Sequence, residues 1–248
     1  MALSVETCVA THQGDRKEQQ DRVSLFPHPQ RPGMLMAVLA DGMGGHSGGA
    51  LAAEQVVHRA RHNFADYAPE SESPREFLDS IVHEAHTAVK LTRFTSEQDP
   101  HTTAVVFLLA QGRAAWAHCG DSRIYHVRHG RLAACSQDHS LVGEWVRQGR
   151  ITQAQAEIHP QRNILVSCLG AEQAPVIDHG EVDQLEAGDV FLLCSDGLWA
   201  YFPEDELVAI LTRQSARQAA EELVAQARAR GMGAGDNISL ALVRLVER

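Results

Sequence analysis

Apolar residues along this chain follow two periods. Residues 4–11 alternate and predict a strand; 21–26 and 35–40 predict two more, the last an unbroken apolar run of the kind that forms a buried strand. Between residues 47 and 67, Leu51, Val56, Val57 and Ala60 fall on one helical stripe. A proline-containing acidic break over 69–74 follows, and then Leu78, Ile81, Val82, Ala85 and Val89 predict a second helix over 77–91. Strands return densely at 102–110, 114–119, 123–128 and 132–135. Gln111-Gly112 and His129-Gly130 between them are hairpin turn signals. Helices are predicted at 140–148 and 152–158, the second opened by the capping box Thr152…Gln155. Strands at 176–182 and 190–194, helices at 204–212 and 216–229, and a strand at 238–246 complete the pattern.

Many antiparallel strands with segregated helix pairs predict an α+β fold. Two packed antiparallel sheets flanked by helix pairs, four layers in the order αββα, fit this order better than a βαβ parallel sheet. With 248 residues, 44% of them hydrophobic, and no linker-like stretch, one domain spanning 1–248 is expected. No run of 18 apolar residues predicts a membrane span, and the first residues lack the pattern of a signal peptide, so a cytoplasmic protein is expected. The five cysteines form no C-x-x-C pair and are odd in number, which favours reduced core thiols over disulfides or zinc. A formal net charge of −10 argues against a nucleic-acid partner.

The charge matters more for where the acids stand. Two apolar runs break off at Asp-Gly: Asp41-Gly42 after residues 35–40, and Asp196-Gly197 after 190–194. An aspartate there is a carboxylate held on rigid backbone at the rim of a core, and the glycine lets the chain turn and brings its carbonyl close. One such pair is only a turn signal. Asp21, Asp121 and Asp236 stand in similar turn-like settings beside predicted strands. An oxygen-only set without a His/Cys cluster suits Mg²⁺ or Mn²⁺, and bound divalent ions would relieve the mutual repulsion of the carboxylates.

On these motifs the chain resembles the metal-dependent protein serine/threonine phosphatases of type 2C, in their compact bacterial form. The matching segments keep the family's order: residues 14–22, 41–46, Thr102-Thr103, 120–123, 137–140, 159–163, Leu169-Gly170, 195–198 and 236–239. The resemblance implies hydrolysis of phosphoserine and phosphothreonine in proteins by a metal-activated water, opposing a bacterial serine/threonine kinase. It implies that Asp41 bridges two metal ions, with the Gly42 carbonyl on the second and Asp196 and Asp236 on the first. Asp21 supports the second, and Asp121 with Asp196 forms a weaker third site. Arg16 matches the family's phosphate-binding arginine. On a straight strand it would face away from Asp21, five residues on, so the match implies a bend. His46 is either a proton donor to the leaving oxygen or a helix-start residue reaching the site through water. A flap at about 139–169 beside the site is implied to influence substrate choice. The partners implied are phosphorylated proteins and a cognate kinase, with no nucleic acid, no membrane and a monomeric state.

The chain departs from the family pattern at Gln19-Gln20, Ala50, His101 and residues 166–168. None of these touches a metal-ligand aspartate. An alternative, a catalytically weak regulatory module of the same fold, would be expected to lack one or more of those aspartates. His58 and His62, a helical turn apart without an acidic partner, read as a solvated face.

Overall fold

The computed structural model describes residues 3–44, 48–92 and 99–247. The chain runs through β1 (Leu3–His12), β2 (Arg22–Pro27), β3 (Leu35–Ala40), β4 (Gly42–Met43), α1 (Gly48–Asp66) and α2 (Pro74–Thr92). It continues through β5 (His101–Thr102), β6 (Ala104–Ala110), β7 (Arg113–Cys119), β8 (Arg123–Arg128), β9 (Arg131–Cys135), α3 (Leu141–Arg147) and α4 (Gln153–Glu157). The last part is β10 (Asp178–Val182), β11 (Val190–Cys194), α5 (Asp196–Trp199), α6 (Glu204–Arg213), α7 (Ala216–Gly231) and β12 (Ile238–Glu247). Two five-stranded sheets form, ordered β1-β12-β11-β8-β9 and β10-β7-β6-β3-β2, with β4 and β5 as a short separate ladder. Every pairing is antiparallel.

The layers follow from which face each side chain takes. Met36, Val38 and Ala40 of β3 pack toward α1 and α2, whereas Leu35, Ala37 and Leu39 pack between the sheets. β11 divides in the same way: Val190, Leu192 and Cys194 meet α6 and α7, and Phe191 and Leu193 enter the space between the sheets. Both faces of the central strands are covered, so they read as unbroken apolar runs and not as alternation. Each leucine or phenylalanine fully buried there stabilises the fold by about 1.5–3 kcal/mol. The three apolar clusters occupy the three spaces of an αββα sandwich. The hairpin signals are realised with both central residues left-handed: Gln111 and Gly112 at φ 52° and 74°, His129 and Gly130 at 51° and 70°.

Four local expectations need correction. The strand predicted over 102–110 breaks at Thr103, because the Thr103 N–H leaves the ladder and donates to the Asp41 carbonyl at 2.9 Å. The second helix starts at Pro74, not Phe77. Proline at the first helical position loses no needed donor, and Ser73 and Glu76 hydrogen-bond each other as a capping pair. The strand predicted from residue 176 begins at Asp178, since Val176 gives its N–H to the Ser167 hydroxyl. Asp196-Gly197 is not a plain turn but the first residues of the one-turn helix α5.

Candidate active site

β3 and β11 belong to different sheets and face each other through Leu39 and Leu193. Both end at the same rim of the sandwich, and this brings Asp41 and Asp196 together. Asp41 is fixed through its backbone. Its N–H donates to Thr103 Oγ1 at 2.9 Å, and its carbonyl accepts from Thr102 Oγ1, also at 2.9 Å. Thr103 Oγ1 in turn shares a 2.7 Å hydrogen bond with Ser122 Oγ, next to Asp121. Gly42 follows in close contact with α1: a Cβ on it would lie 2.1 Å from the Gly49 carbonyl oxygen, so only glycine fits.

Asp196, at the start of α5, lies close enough for its charge to push the Asp41 carboxyl up. The remaining acids join from loops. Asp21 is 2% exposed and accepts the Ser195 hydroxyl proton at 2.8 Å; its Oδ1 is buried without a hydrogen-bond partner. The Asp121 carbonyl accepts the Trp199 indole N–H at 2.9 Å. Arg123 stacks over that indole at 3.6 Å and grips Asp138 with bonds of 2.7 and 2.8 Å, so it braces the site and does not reach into it. Arg16 does reach in: its Nη2 meets Asp236 Oδ2 at 2.5 Å. The bend that this requires exists.

Burial, and after it the neighbouring carboxylates, pushes these acids toward the protonated form. Asp121 rises to about 8, and Asp41 lies well above the ordinary carboxylate range. Asp21 rises to about 7 against the Ser195 hydrogen bond, and Asp196 to about 6. A cluster that holds protons this tightly is one that a cation would stabilise in their place. The donors are all oxygen, and Asp21 Oδ1 is a buried acceptor with nothing to accept, so the set fits a hard divalent ion.

The one trio of His, Cys, Asp or Glu among the described residues whose ligand atoms all lie within 4.8 Å is elsewhere: His118, His139 and Asp178. Its hydrogen bonds oppose a metal. His139 Nδ1 accepts the Gly120 N–H at 3.2 Å, so Nε2 carries the proton that it donates to Asp178 at 3.2 Å. The two rings also stack, 4.8 Å apart and 17° from parallel, so their in-plane lone pairs do not converge. The trio anchors Gly120, beside Asp121.

A cavity of about 920 Å³ opens from the aspartates. Arg16, Asp121, Asp196 and Asp236 line one end of it, and Trp199 and Arg162 line its walls. Arg162 belongs to the segment that carries α3 and α4, held at its base by Leu141 N–H to Ile164 O (2.8 Å) and Val166 N–H to His139 O (2.8 Å). His46 lies outside the described residues. His58 and His62 are exposed on α1, and the five cysteines are free thiols. Thr102, Thr103, Ser195 and Asn237 had only motif membership to mark them, and Trp199, one residue past the 195–198 segment, had no mark at all. Their partners lie tens of residues away or more, beyond any local pattern.

The family model described as protein phosphatase 2C matches residues 10–230. A putative protein phosphatase 2C-type of Streptococcus pyogenes is 34% identical over 246 residues, covering 98% of this chain and 97% of that protein. Protein phosphatase PhpP of Streptococcus pneumoniae is 33% identical over 94% of each chain. Among solved structures, the S. agalactiae serine/threonine phosphatase superposes with a TM-score of 0.88 at 30% identity, covering 98% of this chain and 100% of that one. The catalytic domain of serine/threonine protein phosphatase PstP, in complex with two manganese ions, gives 0.83 at 27% identity over 99% and 100% of the two chains.

Proposed function

Since the chain belongs to the protein phosphatase 2C family and is a protein serine/threonine phosphatase, we propose that it hydrolyses phosphoserine and phosphothreonine in proteins at the Asp41–Asp196 cleft, with Mg²⁺ or Mn²⁺ held there, and that it opposes a bacterial serine/threonine kinase as a cytoplasmic monomer. The observation that carries this reading is the meeting of Asp41 and Asp196 at the ends of β3 and β11, strands of two different sheets packed on each other, where burial and acidic neighbours disfavour two bare carboxylates and a cation would relieve both. Asp41, Gly42 through its carbonyl, Asp196 and Asp236 would hold two ions with support from Asp21, and Asp121 would hold a third with Asp196. Divalent ions in this cleft supply an acidified water and offset charge on the phosphoryl oxygens.

The chain's own groups do the rest. Arg16, 62% exposed at its side chain beside Asp236, would bind phosphate oxygens in a planar pair of hydrogen bonds. The hydroxyls of Thr102 and Thr103 keep Asp41 from shifting as charge in the cleft changes. The cavity beyond offers room for the polypeptide around the phosphorylated residue, with the flap over 139–169 as one wall. All five aspartates are present, so nothing favours a binding module that has lost catalysis.

Phosphate release from phosphoserine and phosphothreonine peptides, measured with Mn²⁺, with Mg²⁺ and with chelator, tests this. Turnover is expected with either metal and none with chelator. Full turnover by metal-free protein would overturn the reading.

A further inference from the structure

Arg16 lies on the Gln13–Gln20 segment, between β1 and β2, and Asp21 closes that segment. Extended, the five residues from Arg16 to Asp21 would span about 17 Å and point the two side chains to opposite faces. In the fold the segment instead reverses, and one side chain collects its ends. Asn237 Nδ2 donates to the Gln13 carbonyl at 2.8 Å and to the Glu18 carbonyl at 2.9 Å. Its Oδ1 accepts the Gln20 N–H at 2.7 Å. Asn237 is 5% exposed, so these bonds are shielded from water.

The fit is specific to asparagine. Two carbonyls demand two N–H donors, and an amide N–H demands an acceptor, all from one planar group at this reach. Aspartate keeps the shape and the acceptor but has no donor to offer. Asp15 adds a second tie: its N–H reaches the Gly235 carbonyl at 2.9 Å, and its Oδ2 accepts the Gly235 N–H at 2.8 Å. At the turn itself Gly14 is left-handed (φ 64°), and a Cβ on it would lie 2.0 Å from the Asp236 carbonyl oxygen. The whole segment is thus folded against residues 235–237, and Arg16 stands at its apex over Asp236.

We propose that Asn237 is the positioning residue of the phosphate clamp: its carboxamide bends the Gln13–Gln20 segment so that Arg16 is presented to the substrate phosphate. This rests on the reading of Arg16 given above. The polar atoms of the Asn237 side chain are taken up by peptide groups of the segment, and it acts through these.

A double-mutant cycle on the Mn²⁺-loaded enzyme separates this role from general support of the fold. Arg16→Ala, Asn237→Asp and the double variant are compared by kcat/KM for a small aryl phosphate and by the inhibition constant of inorganic phosphate. Calorimetry gives Mn²⁺ affinity on the same samples. Arg16→Ala is expected to lower kcat/KM by roughly 10- to 100-fold and to weaken phosphate inhibition. Asn237→Asp is expected to reproduce most of that loss and to add less than about twofold once Arg16 is gone, as coupled residues do. Mn²⁺ affinity is expected to stay within about threefold of the parent, a change too small to account for the loss. Where Asn237→Asp does not fold, Asn237→Ser enters the same cycle, since it removes the carboxamide without adding a charge beside the aspartates.

Multiplying losses in the double variant would overturn the proposal. So would a fall in Mn²⁺ affinity with phosphate inhibition unchanged, because Asn237 would then serve Asp236 alone. An Arg16→Ala variant without effect would instead remove the phosphate-clamp reading itself, and the two failures are therefore distinguishable.

Discussion

Asp41 shows how the residue scale works in this protein. Its side chain faces a cleft full of like charge, while its N–H and carbonyl are bound by Thr102 and Thr103. Repulsion that would otherwise move the side chain is resisted by the backbone. Asp196 stands on the first turn of α5, with the Ser195 hydroxyl beside it given to Asp21. Asp41→Ala and Asp196→Ala are each expected to remove turnover by on the order of 10³-fold or more, since each deletes an oxygen ligand the chemistry depends on. Both should leave the fold intact, and the metal-free variants should melt no lower than the parent, because one of several mutually repelling carboxyls is gone. Phosphate release and thermal melts on the same samples decide it; retained turnover in either would reject the site assignment.

Elements obey their local signals wherever nothing long-range intervenes. The α4 capping box is realised in full, Thr152 Oγ1 accepting from Gln155 and Gln155 Oε1 from Thr152. Ser215 and Gln218 cap α7 in the same way. The C-terminus of α7 is less well provided. Met232 holds the left-handed position that favours glycine, at φ 46°, and is 89% exposed. A side chain that packs against nothing gains nothing there, while the backbone carries the strain. Met232→Gly is therefore expected to stabilise the protein by about 0.5–1 kcal/mol at unchanged kcat, read from urea unfolding midpoints. A destabilised variant would mean that the methionine has a partner this conformation does not show.

At the scale of the whole molecule, charge is distributed with opposite effect at two places. In the cleft, Asp121, Asp21 and Asp196 hold protons up to about pH 8, 7 and 6, whereas the unfolded chain releases them near pH 4. Between these values the native state binds more protons than the unfolded one. Metal-free stability therefore falls as pH rises from about 4 to 8. Away from the cleft, burial alone would raise Asp189, but paired bonds from Arg128 and one from His126 outweigh it and hold it well below the ordinary range. That contribution is present above about pH 4 and is lost as pH falls further. Melting temperature in chelator should therefore peak near the acid side and decline toward pH 8, and Mn²⁺ should raise it more at pH 8 than at pH 5, where protons compete. A metal-free melting temperature that climbs from pH 5 to 8 would contradict the clustering of these acids.

The residues alone determined the alternation of strands and helix pairs, the four-layer class and the aspartates at strand ends, because each rests on a short-range pattern: a period, a turn dipeptide, a cap. They also pointed to Arg16, but only through its motif, since spacing by itself placed that side chain on the wrong face. Tertiary structure decided the rest. Asp41 meets Asp196 only because two sheets stack with β3 opposite β11, and residues 155 apart in sequence share no local signal. The break at Thr103 exists because its N–H has a better partner in Asp41 than in the ladder. Asn237 lies more than 200 residues from the segment it bends, so its three hydrogen bonds are a property of the folded chain alone. Periodicity encodes which face is buried. Which polar atoms then find each other depends on contacts that exist only once the layers have closed.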